Sequence, residues 1–166
     1  MALKSDRNEV QTDISFFMNE TATRGGIVSL STGGSGAAMD QGAALVTYTA
    51  ASGKAPMGIL LNDMVNLDLT RQHINQHKDE VQKGGKVTIL RKGYVVTNNL
   101  SCQTAAAAGD PAYAQFDGTI ANSGCVVDDT GKGSGPIGSF LTSVDQDGYA
   151  KVEVNLPNHV NSPRIS

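Results

Sequence analysis

No apolar period of 3.6 residues is sustained anywhere in the chain; its apolar residues come in short runs cut off by glycine, asparagine and aspartate. The densest lies in Lys86 to Asn98, where Val87-Thr88-Ile89-Leu90 and Tyr94-Val95-Val96-Thr97 are separated by Arg91-Lys92-Gly93. β-Branched and aromatic side chains fit a pleated surface and crowd a helix. Glycine supplies the positive φ that a tight turn requires. The pattern predicts a hairpin here, entered through a second turn at Gly84-Gly85.

The same grammar recurs along the chain. Ile27 to Ser31, Ala43 to Tyr48 and Met57 to Leu61 read as strands, separated by Thr32-Gly33-Gly34-Ser35-Gly36 and by Ser52-Gly53-Lys54. Ala112 to Phe116 and Thr119-Ile120 flank Asp117-Gly118, and Ile137 to Val144 and Tyr149 to Leu156 form a closing hairpin around Asp145-Gln146-Asp147-Gly148. Between them, Arg71 to Val81 fits a short helix capped by Asp68 or Thr70, or an extended excursion. Strands at intervals of about ten residues predict a mainly β fold, a small β-barrel or β-sandwich of jelly-roll or β-tulip type with at most one short helix.

The β pattern is expected to occupy residues 26–157, followed by a tail, 158–166. Residues 1–25 differ: charges and amides surround one apolar cluster, Phe16-Phe17-Met18, without a strand or helix period. This segment reads as an extended arm. Phe16 and Phe17 either dock it on a neighbouring molecule or cap the domain's own core.

Composition narrows the function. A chain of 166 residues suits one domain, and 39% apolar residues with 19 glycines and no tryptophan imply a thin core. A net charge of −3 disfavours nucleic-acid binding, which draws on basic surface. No apolar run reaches the ~18 residues of a membrane span, and Met1 to Asp6 lacks a signal-peptide core, so folding in the cytoplasm is expected. Cys102 and Cys125 have no metal-ligand spacing and read as thiols there, with a disulfide open to a particle outside the cell.

Candidate motifs mostly fail on context. Gly133-Ser134-Gly135-Pro136-Ile137-Gly138 spells a dinucleotide fingerprint, but Pro136 interrupts it and a strand, not a helix, follows. Gly131-Lys132-Gly133 lacks the ending of a phosphate loop, and Gly33 to Ala37 is too flexible for a nucleophile elbow. Asp145 to Gly148 opens like a calcium loop without its distal glutamate, so a hairpin turn is expected. His73 and His77 would share a helix face; Ile74 stands where a zinc protease needs glutamate, leaving them as solvated or interface histidines, or as a metal site completed across a symmetry axis. Arg71, Lys78, Lys83, Lys86, Arg91 and Lys92 outnumber Asp79 and Glu80, giving a basic stretch that reads as a solvated face or, in an otherwise acidic protein, as a surface for an acidic partner. No catalytic residue and no cofactor are expected. Neither a carbohydrate-binding module, for which Tyr48, Tyr94, Tyr113 and Tyr149 are too scattered, nor a metal enzyme on the two histidines is favoured.

The segment Gly58-Ile59-Leu60-Leu61-Asn62-Asp63-Met64-Val65-Asn66-Leu67-Asp68-Leu69-Thr70-Arg71-Gln72-His73-Ile74-Asn75-Gln76-His77, continuing through Gly84 to Asn98, resembles virion structural proteins of tailed phages, those of cyanobacteria first. Gly42 to Leu61, and Gly109-Asp110-Pro111-Ala112-Tyr113 with Asp117-Gly118, Pro136-Ile137-Gly138 and Lys151 to Leu156, are similar to capsid decoration, or cement, proteins. The resemblance covers about two-thirds of the chain and leaves the arm outside. It implies a structural role on the capsid exterior, with the major capsid protein as partner, self-association as a trimer at local threefold positions, and no nucleic acid or membrane. A head-fibre base, neck or tail component is the alternative. On this reading the expected capsid or subunit contacts are Phe16, Phe17, Arg71, His73, His77, Lys78 and Arg91.

Overall fold

A computed structural model describes residues 3–31, 45–48, 55–63, 67–68, 73–74, 80–101, 106–122 and 136–156. The first strands are β1 (Leu3–Asp13), β2 (Phe17–Met18), β3 (Ala22–Thr23), β4 (Ile27–Leu30) and β5 (Leu45–Thr47). After β6 (Pro56–Asp63) come the short strands β7 (Leu67–Asp68), β8 (His73–Ile74) and β9 (Glu80–Val81). The long β10 (Val87–Thr97) is followed by β11 (Pro111–Ala114), β12 (Ile120–Ala121), β13 (Pro136–Phe140) and β14 (Ala150–Asn155). No helix occurs among the described residues, and the fold is mainly β, as its patterning predicts.

Ten strands join in one sheet of order β12-β11-β13-β14-β10-β6-β4-β5-β2, with β1 added on β10. Among the described residues its path is open, not closed into a barrel, and the packing is sandwich-like. β10 is the spine. One edge pairs with β1 from Ile89 to Thr97; the other pairs with β6 over Val87 to Leu90 and with β14 over Lys92 to Thr97.

The wall made by β4, β6 and the first half of β10 is buried on both faces. Ile27, Ile59, Leu61 and Leu90 point into one core with Val95, Ile120, Ile137, Phe140, Val152 and Val154. Val28, Met57, Leu60, Val87 and Ile89 point into a second, with Met18, Val46, Tyr48 and Val81. Strands buried on both sides carry continuous apolar runs instead of alternation, which explains why Ile59-Leu60-Leu61 and Ile89-Leu90 are unbroken.

Two sequence expectations are corrected. Lys86 to Asn98 is not a hairpin: β10 runs unbroken through Arg91-Lys92-Gly93. Gly93 does have positive φ, +140°, but it serves a close approach, since a Cβ there would lie 2.0 Å from the Asn8 carbonyl oxygen of β1. The helix over Arg71 to Val81 is also not formed where the chain is described. His73–Ile74 and Glu80–Val81 are strands, paired with Leu67–Asp68 and Ala22–Thr23, so the extended alternative holds at these positions.

The closing hairpin is as expected. β13 and β14 pair antiparallel, and the Asp145 carboxylate accepts from the N–H groups of Asp147 and Tyr149, fixing a turn that ends at Gly148. Gly33 to Gly36, Gly131 to Gly135, Cys102 and Cys125 lie outside the described residues.

Candidate functional surface

In the segment read as an extended arm, residues 3–13 form the strand β1. Most side chains of β1 are exposed, and Leu3 alone is buried, in the first core. What holds the strand is backbone pairing to β10 plus charge. Lys4 Nζ lies 3.2 Å from Asp145, Asp6 lies 3.0 Å from Lys151 Nζ, and Asp13 lies 3.6 Å from Arg91. The ammonium groups of Lys4 and Lys151 also sit 4.1 Å from the ring centroids of Tyr149 and Tyr94. The outcome is a strip of alternating charge and aromatic surface across β1, β10 and β14.

The electrostatics follow from these contacts. The backbone N–H of Tyr149, then Lys4, holds the Asp145 carboxyl below the usual carboxylate range. A hydrogen bond to Asp6 raises the Lys151 ammonium above its ordinary value. Both groups are exposed, so the individual ion pairs are weak and salt-sensitive.

Past the strand, the arm is threaded into the domain. Val87 N–H donates to the Phe16 carbonyl at 3.0 Å, Met18 N–H to Gly85 at 2.9 Å, and Gly84 N–H to Met18 at 2.7 Å. Phe16 is partly buried and packs against the second core. Phe17 is half-buried, with the Lys86 ammonium 6.0 Å from its ring centroid. Further along, the Tyr48 hydroxyl is buried, donates to the Thr23 carbonyl and accepts from Gly26 N–H at 2.9 Å. Burial pushes its pKa well above the ordinary tyrosine value.

The predicted contact residues therefore divide. Phe16, Phe17 and Arg91 lie along the arm and its docking strand, with Arg91 largely covered and facing Asp13. His73 lies in β8 opposite Asp68, on extended backbone that removes the helical face argued for its partnership with His77. Arg71, His77 and Lys78 lie outside the described residues. Among the described residues, no group of three or more His, Cys, Asp or Glu could hold a metal ion.

Sequence reasoning did not bring Lys4, Asp6, Asp145 and Lys151 together, because these pairs span 141 and 145 positions. The one local signal was the i, i+2 spacing of Lys4 and Asp6, which puts opposite charges on one strand face. A family model described as Structural cement protein (E217 gp24/Pam3 gp6) matches residues 7–155. No curated protein matches the chain.

Proposed function

The chain belongs to the phage structural cement protein family, and from that premise we propose that it binds the outer face of the capsid and stabilises the shell, as a trimer at local threefold positions. Its place as a structural component of the virion follows from the family; the face, the stoichiometry and the contacts are the proposal. The observation that carries it is the extent of the family match, residues 7–155, which takes in the whole second core and all of the first except Leu3 and Leu156.

The physical character of the chain supports the reading. Seven of the seventeen buried residues of the first core are alanine or valine, and a core of modest size gains from assembly, because anything that binds only the folded form stabilises it. The half-buried Phe17 ring beside Lys86 is an apolar and cationic pair suited to an acidic, partly apolar shell surface. Contacts to the major capsid protein or to sister subunits are assigned to Phe17 and to Arg71, His73, His77 and Lys78. Phe16 and Arg91 act by holding the arm in place.

Copy number in purified particles, measured against the major capsid protein, tests this first. Hundreds of copies in a simple ratio to the capsid protein are expected. A dozen or fewer would overturn the decoration role in favour of a neck, tail or head-fibre position. Particles lacking the protein should also lose their DNA at lower temperature than complete ones.

A further inference from the structure

β1 is an edge strand, and edge strands invite pairing unless charge, proline or irregularity guards them. Bulges interrupt the β1–β10 register between Leu3 and Arg7 and again beyond Glu9, leaving Arg7-Asn8-Glu9 as the regular run between them. Because a Cβ on Gly93 would meet the Asn8 carbonyl oxygen at 2.0 Å, that carbonyl faces β10. Neighbouring residues of a strand alternate in direction, so the N–H and C=O groups of Arg7 and Glu9 face the other way. No described strand pairs with that edge.

The charges near this edge do not guard it. Lys4, Asp6 and Asp13 are matched by Asp145, Lys151 and Arg91 of the domain body. Arg7 and Glu9 lie on one face, 2.7 Å apart, and sum to zero. Read in the opposite direction, Arg7-Asn8-Glu9 presents glutamate to arginine and arginine to glutamate. Beside the run, Val10 is 62% exposed.

We propose that the free edge of β1 pairs antiparallel with β1 of a second copy about a two-fold axis through Asn8. Arg7 then faces Glu9 of the second copy, and Glu9 faces Arg7, each pair exchanging two backbone hydrogen bonds. On the same face the four side chains form a ring of alternating charge. Asn8 meets its own counterpart as a non-hydrogen-bonded pair, where Cα atoms stand about 4.5 Å apart. In this register Val10 stands opposite Asp6 of the second copy. A contact of this size falls well short of the ~1,000 Å² of a stable interface. It is therefore weak in dilute solution and becomes populated where copies are crowded together, as when they line a common surface.

That geometry is testable in the purified protein, independently of any capsid. In a chain with Cys102→Ser and Cys125→Ser, Asn8→Cys places two thiols within disulfide reach on the axis. Ser5→Cys and Thr12→Cys, equally exposed, place them out of register. At high protein concentration under mild oxidation, Asn8→Cys should form covalent dimer about tenfold faster than either control. Adding Arg7→Glu should slow the reaction, and Arg7→Glu with Glu9→Arg should restore it. Cross-linking no faster at position 8 than at 5 or 12, or a charge exchange that fails to restore it, would overturn the pairing.

Discussion

Substituting Gly93 by alanine should release β1 from the domain, and the size of the effect follows from two separable causes. The backbone there has φ +140°, a region costing a residue with a Cβ about 1–3 kcal/mol. The added Cβ would also lie 2.0 Å from the Asn8 carbonyl oxygen, a backbone atom that moves only if β1 moves. Peeling β1 away exposes Leu3, worth about 1.5–3 kcal/mol. The remaining losses are small: surface ion pairs contribute little, and the strand's hydrogen bonds are largely offset by returned chain entropy. Together these predict a destabilisation of about 3–6 kcal/mol in urea unfolding, with rapid tryptic cleavage after Lys4 and Arg7. In a chain lacking residues 1–13, the same substitution meets no Asn8 and frees no Leu3, so its cost should fall to about 1–3 kcal/mol. Equal cost in both backgrounds, or an arm still protected from trypsin, would refute the assignment of Gly93 to arm docking.

The fastening of the arm should weaken at both pH extremes. Asp145 is depressed, first by the Tyr149 N–H of its own turn and then by Lys4 of the arm, so its contribution to turn and arm together is present above the ordinary carboxylate value of 3.8 and is lost as pH falls through the lower folded-state value. Lys151 is raised, so its contribution is complete below 10.5 and is lost as pH rises through the higher folded-state value; NMR shifts of β1 amides should follow both limits. Tyr48→Phe leaves the Thr23 carbonyl and Gly26 N–H without their buried partner and should cost about 1–3 kcal/mol in denaturant unfolding. In spectrophotometric titration of the unsubstituted protein, Tyr48 should ionise only on unfolding, and its contribution to stability is lost as pH rises past 10. Phe140→Ala empties the largest fully buried side chain of the first core and should cost about 3–5 kcal/mol by the same assay.

Strands whose side chains carry the period were legible. Ile27 to Leu30, Met57 to Leu61 and the closing hairpin all fall where β-branched runs meet turn residues, because the burial that selects those residues also fixes the strand. Gly93 misled because glycine serves a turn and a close backbone approach equally well, and local sequence does not reveal Asn8, 85 positions earlier, lying against it. β1 left no period because both its faces are largely exposed; it is a strand through its pairing with β10, an interaction that selects few side chains. The same reason hid the candidate surface. Lys4, Asp6, Asp145 and Lys151 become a cluster only once the two ends of the chain flank the same central strand.

That topology changes how the arm must be tested. Removing residues 1–24 would delete Met18, which is fully buried, and Ala22 along with β1, damaging the second core. Loss of capsid binding by such a chain would not distinguish a missing contact from a misfolded domain. Removing residues 1–13 takes Leu3 and the edge strand but keeps Phe16, Phe17, Met18 and the Gly84 to Val87 segment they pair with. If the arm acts through Phe17, this shorter chain should still bind shells, and Phe17→Ala in the full chain should weaken binding. If it acts through the free edge of β1, the order reverses: the shortened chain loses contacts between copies while Phe17→Ala is neutral. The spine strand makes the choice decidable, because β10 keeps its pairing with β6 and β14 whether or not β1 is present.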